Sequence, residues 1–299
     1  MPRILITGGN GLLGTKVIEQ ALVRTDLQIV STSRDVCLNG YLGSFPFAQL
    51  DITAEDSVER VFREHPPDIV IHTAAMTNVD GCETHRDEAW SINVSGTEHV
   101  ARACRALGTR LIHLSTEYVY DGTAGPYSES APVNPLGWYA QTKWESEERV
   151  REVLDDAVIC RTTIIVGHAP HVRPNFLLWL VDQLKGGQSA RVVVDQIGSP
   201  TLAENLAEMV LALALSNARG VYHTAGDTVI GRFDYARLIA EVFELDYRLL
   251  IPITTAELAQ PAPRPLKAGL LIDKFKHEFP DVRVLSAREG LEVIKSQVT

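Results

Sequence analysis

Apolar positions alternate between two rhythms from the start of the chain. Ile4 to Thr7 is a short apolar run of strand type, and Leu12, Leu13, Val17, Ile18, Ala21 and Leu22 then recur at helical spacing. Leu27–Ser31, Phe47–Leu50 and Ile69–His72 read as further strands, the last continuously apolar, as in a parallel sheet covered on both faces. A helix opens at Thr53–Asp56 in a capping-box-like pattern and stops before Pro66-Pro67. A long helix over Glu88–Ala106 carries Asn93 and Gly96 inside it and ends at Gly108, and Arg110–Ser115 is the next strand. Strands alternating with helices over residues 4–115 predict a Rossmann-type, doubly wound parallel α/β sheet.

The rhythm continues through a Gly/Pro/Ser-rich loop at 121–137, a helix at 138–154 and a strand at 157–162. From Gly167 it loosens. Helices are expected near 175–185, 202–216 and 233–243, with a short strand at 221–224. A Thr201-x-x-Glu204 capping box is expected for the second of these, and a Ser286-x-x-Glu289 box for a final helix. The predicted division is a dinucleotide-binding domain over residues 1–167 and a smaller C-terminal α/β substrate-binding domain over 168–299. Some of the later segments are free to return to the first sheet.

Gly8, Gly11 and Gly14 stand between the first strand and the first helix. Unpaired N–H groups and a positive dipole end make a helix start a phosphate site, and glycine lets the backbone approach a pyrophosphate. The spacing is GxxGxxG. About 20 residues further on, dinucleotide folds place an acid on the ribose hydroxyl. Here that place holds Ser33 and Arg34, a hydroxyl and a guanidinium suited to a 2′-phosphate, so NADP is expected, with NAD as the alternative cofactor if Asp35 does the acid's work. Small residues in Thr73-Ala74-Ala75-Met76-Thr77-Asn78 leave space at a strand's carboxyl end, where open α/β sheets bind ligands.

Composition narrows the field. The 299 residues are 45% hydrophobic and 22% charged, the balance of a soluble globule. No apolar run approaches the roughly 20 residues of a membrane span, and a strand at the N-terminus leaves no room for a signal peptide. Cys37, Cys82, Cys104 and Cys160 show no paired spacing, which argues against disulfides or a zinc site and suits the cytoplasm. A net charge of −10 argues against a general nucleic-acid-binding surface, so no nucleic-acid partner is expected. His168 and His171 flank Pro170 without other ligand types nearby, so no metal site is expected. His72, His113 and His223 sit in apolar strands and read as hydrogen-bonded core residues.

Tyr139 and Lys143 are one helical turn apart, so phenol and ammonium share a face. A tyrosine near pKa 10 is a poor acid or base at neutral pH, and a nearby cation is expected to lower it. Together these features resemble the extended, nucleotide-sugar branch of the short-chain dehydrogenase/reductase superfamily. Within it, Thr73–Asp80, Ser115–Gly122, Gly198-Ser199-Pro200-Thr201 and Arg264-Pro265 look like the dTDP-4-dehydrorhamnose reductase family, and equally like the related regulatory subunit of methionine adenosyltransferase.

The resemblance implies hydride transfer from NADPH to the C4 ketone of a nucleotide-linked deoxysugar. It implies catalytic roles for Thr116, which polarises the carbonyl, Tyr139, which protonates the alkoxide, and Lys143, which holds the nicotinamide ribose. Implied cofactor contacts are Gly8, Gly11, Leu12, Leu13, Ser33, Arg34, Asp51, Ile52, Thr73, Ala74, Ala75 and Asn93, besides Tyr139 and Lys143. Implied substrate contacts are Thr77, Val79, Thr116, Glu117, Tyr118 and Arg264, the last for a diphosphate. A homodimer is a common state of such relatives. Two departures fall on the expected substrate side. Arg161-Thr162-Thr163-Ile164 lacks the tryptophan of the family's R-T-S-W pattern, and Arg264-Pro265-Leu266-Lys267-Ala268 departs from R-P-x-N-S. An epimerase or dehydratase of nucleotide sugars and a non-catalytic NADP-binding regulatory subunit are the alternative functions.

Overall fold

The computed structural model describes residues 1–298. Its first half is built from β1 (Arg3–Thr7), α1 (Leu12–Leu22), β2 (Gln28–Ser33), β3 (Phe47–Gln49), α2 (Glu55–Glu64), β4 (Ile69–His72), α3 (Val79–Thr84), α4 (Arg86–Trp90), α5 (Gly96–Leu107), β5 (Arg110–Thr116), α6 (Trp138–Val153) and β6 (Val158–Thr162). The second half supplies β7 (Ile165–Val166), α7 (Phe176–Lys185), β8 (Ala190–Val193), β9 (Ile197–Gly198), β10 (Thr201–Leu202), α8 (Ala203–Ala214), β11 (Gly220–His223), β12 (Ile230–Gly231), α9 (Arg232–Val242), β13 (Leu250–Ile253), α10 (Thr255–Leu258), α11 (Asp273–Glu278) and α12 (Ala287–Val298).

Seven parallel strands form the main sheet in the order β3-β2-β1-β4-β5-β6-β11. Successive strand residues face opposite sides, so each side needs its own helical cover. Ile4 and Ile6 join Val17, Ile18, Leu206 and Val210 from α1 and α8. Leu5, between them in sequence, joins Val58, Phe62 and Val100 from α2 and α5 on the other side. A second core lies among α7, α9 and α12, where Leu180, Leu184, Ile239 and Leu291 meet. The late strand β11 pairs with β6 in register Val221↔Ile159, and α8 packs on α1. Residues beyond 167 therefore complete the first sheet.

The chain leaves β1 toward β2 on one side of the sheet and leaves β4 toward β5 on the other. Between β1 and β4 the strand order reverses, which opens a crevice at the strands' carboxyl ends. Both the glycine turn and Thr73–Asn78 emerge there.

Several local expectations are corrected. The residue before α2 is Ala54, and its side chain caps nothing; Thr53 instead donates its hydroxyl to Asp51 at 2.7 Å. The expected box at Thr201 and Glu204 does not form, because the Thr201 hydroxyl bonds the Ser199 carbonyl and Glu204 pairs with Lys16 at 3.1 Å. The box at Ser286 and Glu289 does form, with reciprocal bonds at 2.9 and 3.3 Å. The long helix expected over 88–106 is interrupted by a π-helical turn at Ser91–Ser95, where the extra residue lets Asn93 point inward. Gly108 ends it with φ 65°. The two-residue strands β7, β9, β10 and β12, with β8 and β13, lie outside the main sheet and were not expected.

Candidate active site

Gly8 has φ +69°, a conformation that favours glycine, and a Cβ there would stand 2.7 Å from the Ala74 nitrogen. A Cβ on Gly14 would meet the Gly8 carbonyl at 2.4 Å, so bare backbone lets α1 start close against β1. The result is a glycine-lined floor with Gly11 as the N-cap of α1. Beside it lies a cleft of about 400 Å³. Gly8, Gly11, Ser33, Arg34, Asp51, Ile52, Thr73, Ala74 and Ala75 all line it. Arg34 is exposed at the rim beside Asp35. The Ser33 hydroxyl accepts from Asn10 at 2.8 Å and donates to the Asp35 carbonyl at 2.8 Å. Two hydrogen bonds from Thr53 hold the Asp51 carboxyl below the usual carboxylate range.

A second cleft of about 500 Å³ continues from the first, sharing Gly11, Thr73 and Ala75. Leu12, Leu13, Thr77, Val79, Thr116, Glu117, Tyr118, Tyr139 and Lys143 line it. Tyr139 and Lys143 reach it from one face of α6, and Thr116 from the last position of β5. The Tyr118 and Tyr139 rings meet edge to face, 5.8 Å between centroids.

The electrostatics differ from the expectation that Lys143 lowers the Tyr139 pKa. Burial dominates and pushes the phenol up, with the Thr116 side chain drawing it partly back. Lys143, 3% exposed, is itself pushed down to about 8 by burial, against the pull of Glu147. The phenol is therefore fully protonated at neutral pH, the state a proton donor needs.

Glu147, one turn beyond Lys143, is held by Arg161 at 2.7 Å, by Arg151 at 2.7 Å and by the Ser115 hydroxyl at 2.5 Å. This buried cluster ties α6 to β5 and β6, and so fixes Tyr139 against Thr116. His72 sits beneath, between Thr7 at 2.7 Å and Thr97 at 3.1 Å; burial pushes its pKa down to about 3, and it is a neutral core histidine as expected.

Two expected site residues line neither cleft. Asn93 is fully buried; its amide donates to the Met76 carbonyl and Thr142 and accepts from the Met76 N–H at 2.8 Å. It braces the Thr73–Asn78 loop against α6. Arg264 is used by Asp80 at 3.0 Å and by the Ala262 carbonyl at 2.8 Å. Conversely, Val172, Arg173 and Asn175 line the 500 Å³ cleft without having been singled out for it, together with Thr163 and Ile164 of the segment that departs from the family pattern on the expected substrate side. Their one local signal was Asn175, which caps α7 by accepting from Leu178 N–H at 3.3 Å.

With this geometry in view, the sequence matches the RmlD substrate binding domain family over residues 2–297. The chain belongs to that family. A dTDP-4-dehydrorhamnose reductase of Mycobacterium tuberculosis is 35% identical over 274 residues, spanning 90% of this chain and 84% of the relative. Among solved structures, a dTDP-4-dehydrorhamnose reductase from Clostridium acetobutylicum superposes with a TM-score of 0.88 at 30% identity, covering 99% of each chain. One from Bacillus anthracis, solved in complex with NADP, gives 0.87 at 29% identity, again over 99% of each. RmlD family membership and the seven-strand parallel sheet agree with the fold read from the chain's own pattern. Among the described residues no helix is long and apolar enough to cross a membrane.

Proposed function

We propose that this chain is an NADPH-dependent oxidoreductase that reduces the C4 ketone of a nucleotide-linked deoxysugar. The observation that carries the reading is the convergence of Thr116, Tyr139 and Lys143 on one cleft continuous with the glycine-floored one. The glycine floor fits a dinucleotide: a Cβ at Gly8 or Gly14 would collide with backbone and undo the tight turn, and the start of α1 offers N–H groups to a pyrophosphate. Ser33 and Arg34 suit a 2′-phosphate at the rim. When bound, the reduced nicotinamide supplies the hydride. The Thr116 hydroxyl donates to the ketone oxygen, and Tyr139, its phenol protonated, transfers its proton to that oxygen as charge develops. Lys143 binds the ribose and, as a cation near the phenol, steadies the phenolate left behind. In this reading residues 1–167 hold the cofactor and supply Thr77, Val79, Glu117 and Tyr118 on the sugar side, and residues 168–299 complete the substrate site.

The test is NADPH oxidation by the purified protein with a panel of nucleotide 4-ketosugars, dTDP-4-keto-6-deoxysugars first. Turnover with at least one is expected. Tight NADPH binding with no turnover on any member would turn the reading toward a regulatory subunit.

A further inference from the structure

The larger cleft has a side branch. Glu117, Tyr118 and Ile164 line both the cleft and a narrower cavity reaching Gln196, Arg232 and Tyr235. Two charged side chains face this branch. Glu117 is 3% exposed, and its Oε2 bonds to nothing among the described residues. Arg232 is the first residue of α9, and its backbone N–H donates to the Gln196 carbonyl at 2.8 Å; its guanidinium makes no hydrogen bond or ion pair with any described residue and lies over the Phe176 ring at 4.8 Å.

Among the described residues no ion pair joins Glu117 to Arg232. Burial pushes its carboxyl well above the usual range, and Arg232 only partly draws it back. Arg264 stands nearby but is already compensated by Asp80 at 3.0 Å. A guanidinium keeps its proton in a protein. The Arg232 guanidinium is therefore a largely covered cation with no direct ion-pair partner among the described residues, a costly arrangement that an arriving anion relieves.

We propose that Arg232 binds the diphosphate of the substrate where the side branch opens onto the cleft. The proposal rests on the nucleotide-sugar reading above. A guanidinium fork matches phosphate oxygens bidentately, and the N–H groups at the start of α9, an 11-residue helix, add to the field. The order of groups is also right. Thr116 and Tyr139 line the cleft, Glu117 lines both the cleft and the branch, and Arg232 lines the branch alone. Other cations reach the region: Arg173 lines the cleft but is exposed, and Arg264 is paired.

The test compares binding of dTDP and of thymidine to the NADP-saturated protein for wild type, Arg232→Gln, Arg232→Lys, Arg173→Gln and Arg264→Gln. Arg232→Gln is expected to weaken dTDP about 10- to 100-fold, the range for a charge-assisted contact. Thymidine and NADP affinities should stay unchanged, which also reports that the variant is folded. Arg232→Lys should fall between. Unchanged dTDP affinity in Arg232→Gln, an equal loss for thymidine, or a loss confined to Arg173→Gln or Arg264→Gln would overturn the assignment and leave the reductase reading standing. Wild-type protein that binds NADPH but neither binds dTDP nor reduces any nucleotide 4-ketosugar would overturn both.

Discussion

Tyr139 and Lys143 illustrate how burial sets chemistry one residue at a time. The phenol, pushed up, can give a proton but cannot easily lose one to water. Tyr139→Phe keeps the ring and removes that proton, so kcat should fall about 10²–10⁴-fold with NADPH affinity nearly unchanged. Single-turnover kinetics with saturating NADPH would show it; near-normal reduction would reassign the donor. Lys143 adds a prediction about stability. Burial holds its folded pKa at about 8, below the 10.5 of a free lysine side chain. Below pH 8 the folded state carries the full cost of a buried ammonium. Between about pH 8 and 10.5 the unfolded chain binds more protons, so that cost fades as pH rises. Lys143→Met should therefore stabilise the cofactor-free protein at pH 7, by up to about 3 kcal/mol. The gain should shrink toward pH 10, while activity is lost at every pH. Thermal melts across that range would check it, and a pH-independent difference would point to packing instead.

At the scale of elements, the π-turn at Ser91–Ser95 and α6 act as one brace. Asn93 links the Met76 backbone to Thr142, so the loop lining both clefts is held from behind. Asn93→Leu leaves the Met76 N–H without its partner and should cost about 1–3 kcal/mol. It should also loosen NADPH binding, through the displaced Ala74 and Ala75. A melt and a cofactor titration measure the two effects; a variant that melts lower yet binds normally would confine Asn93 to stability.

This brace marks the boundary of what the sequence made legible. Long elements with clear periods, such as β1, α1, β4 and α6, were found close to their observed bounds, and so were the Tyr139–Lys143 pair and the glycine turn. The π-turn was not, since its pattern is that of an ordinary helix with a polar residue inside. Two-residue strands such as β9 and β12 carry no period at all, because tertiary contacts alone define them. Arg264 and Arg232 were indistinguishable by type. Only packing shows that Asp80 pairs with the first and that the second has no direct ion-pair partner among the described residues.

For the whole molecule, the late chain is structurally part of the early sheet. Without β11 the β6 edge stands unpaired, and without α8 the apolar face of α1 meets water. Residues 1–167 expressed alone should therefore aggregate or stay unfolded; a soluble monomer with a cooperative melt would contradict this. One further contact joins the halves at the site itself: His171 Nε2 donates to the Asn10 carbonyl in the glycine turn at 3.0 Å. Whatever settles that turn also settles the segment leading to Asn175 and Phe176, and the reverse holds with equal force. A dinucleotide on the turn and a nucleotide in the larger cleft are then expected to be coupled, and linkage requires that each alter the other's affinity by the same factor. Titrating dTDP with and without NADP, and NADP with and without dTDP, should give one ratio, and His171→Ala should bring it toward unity.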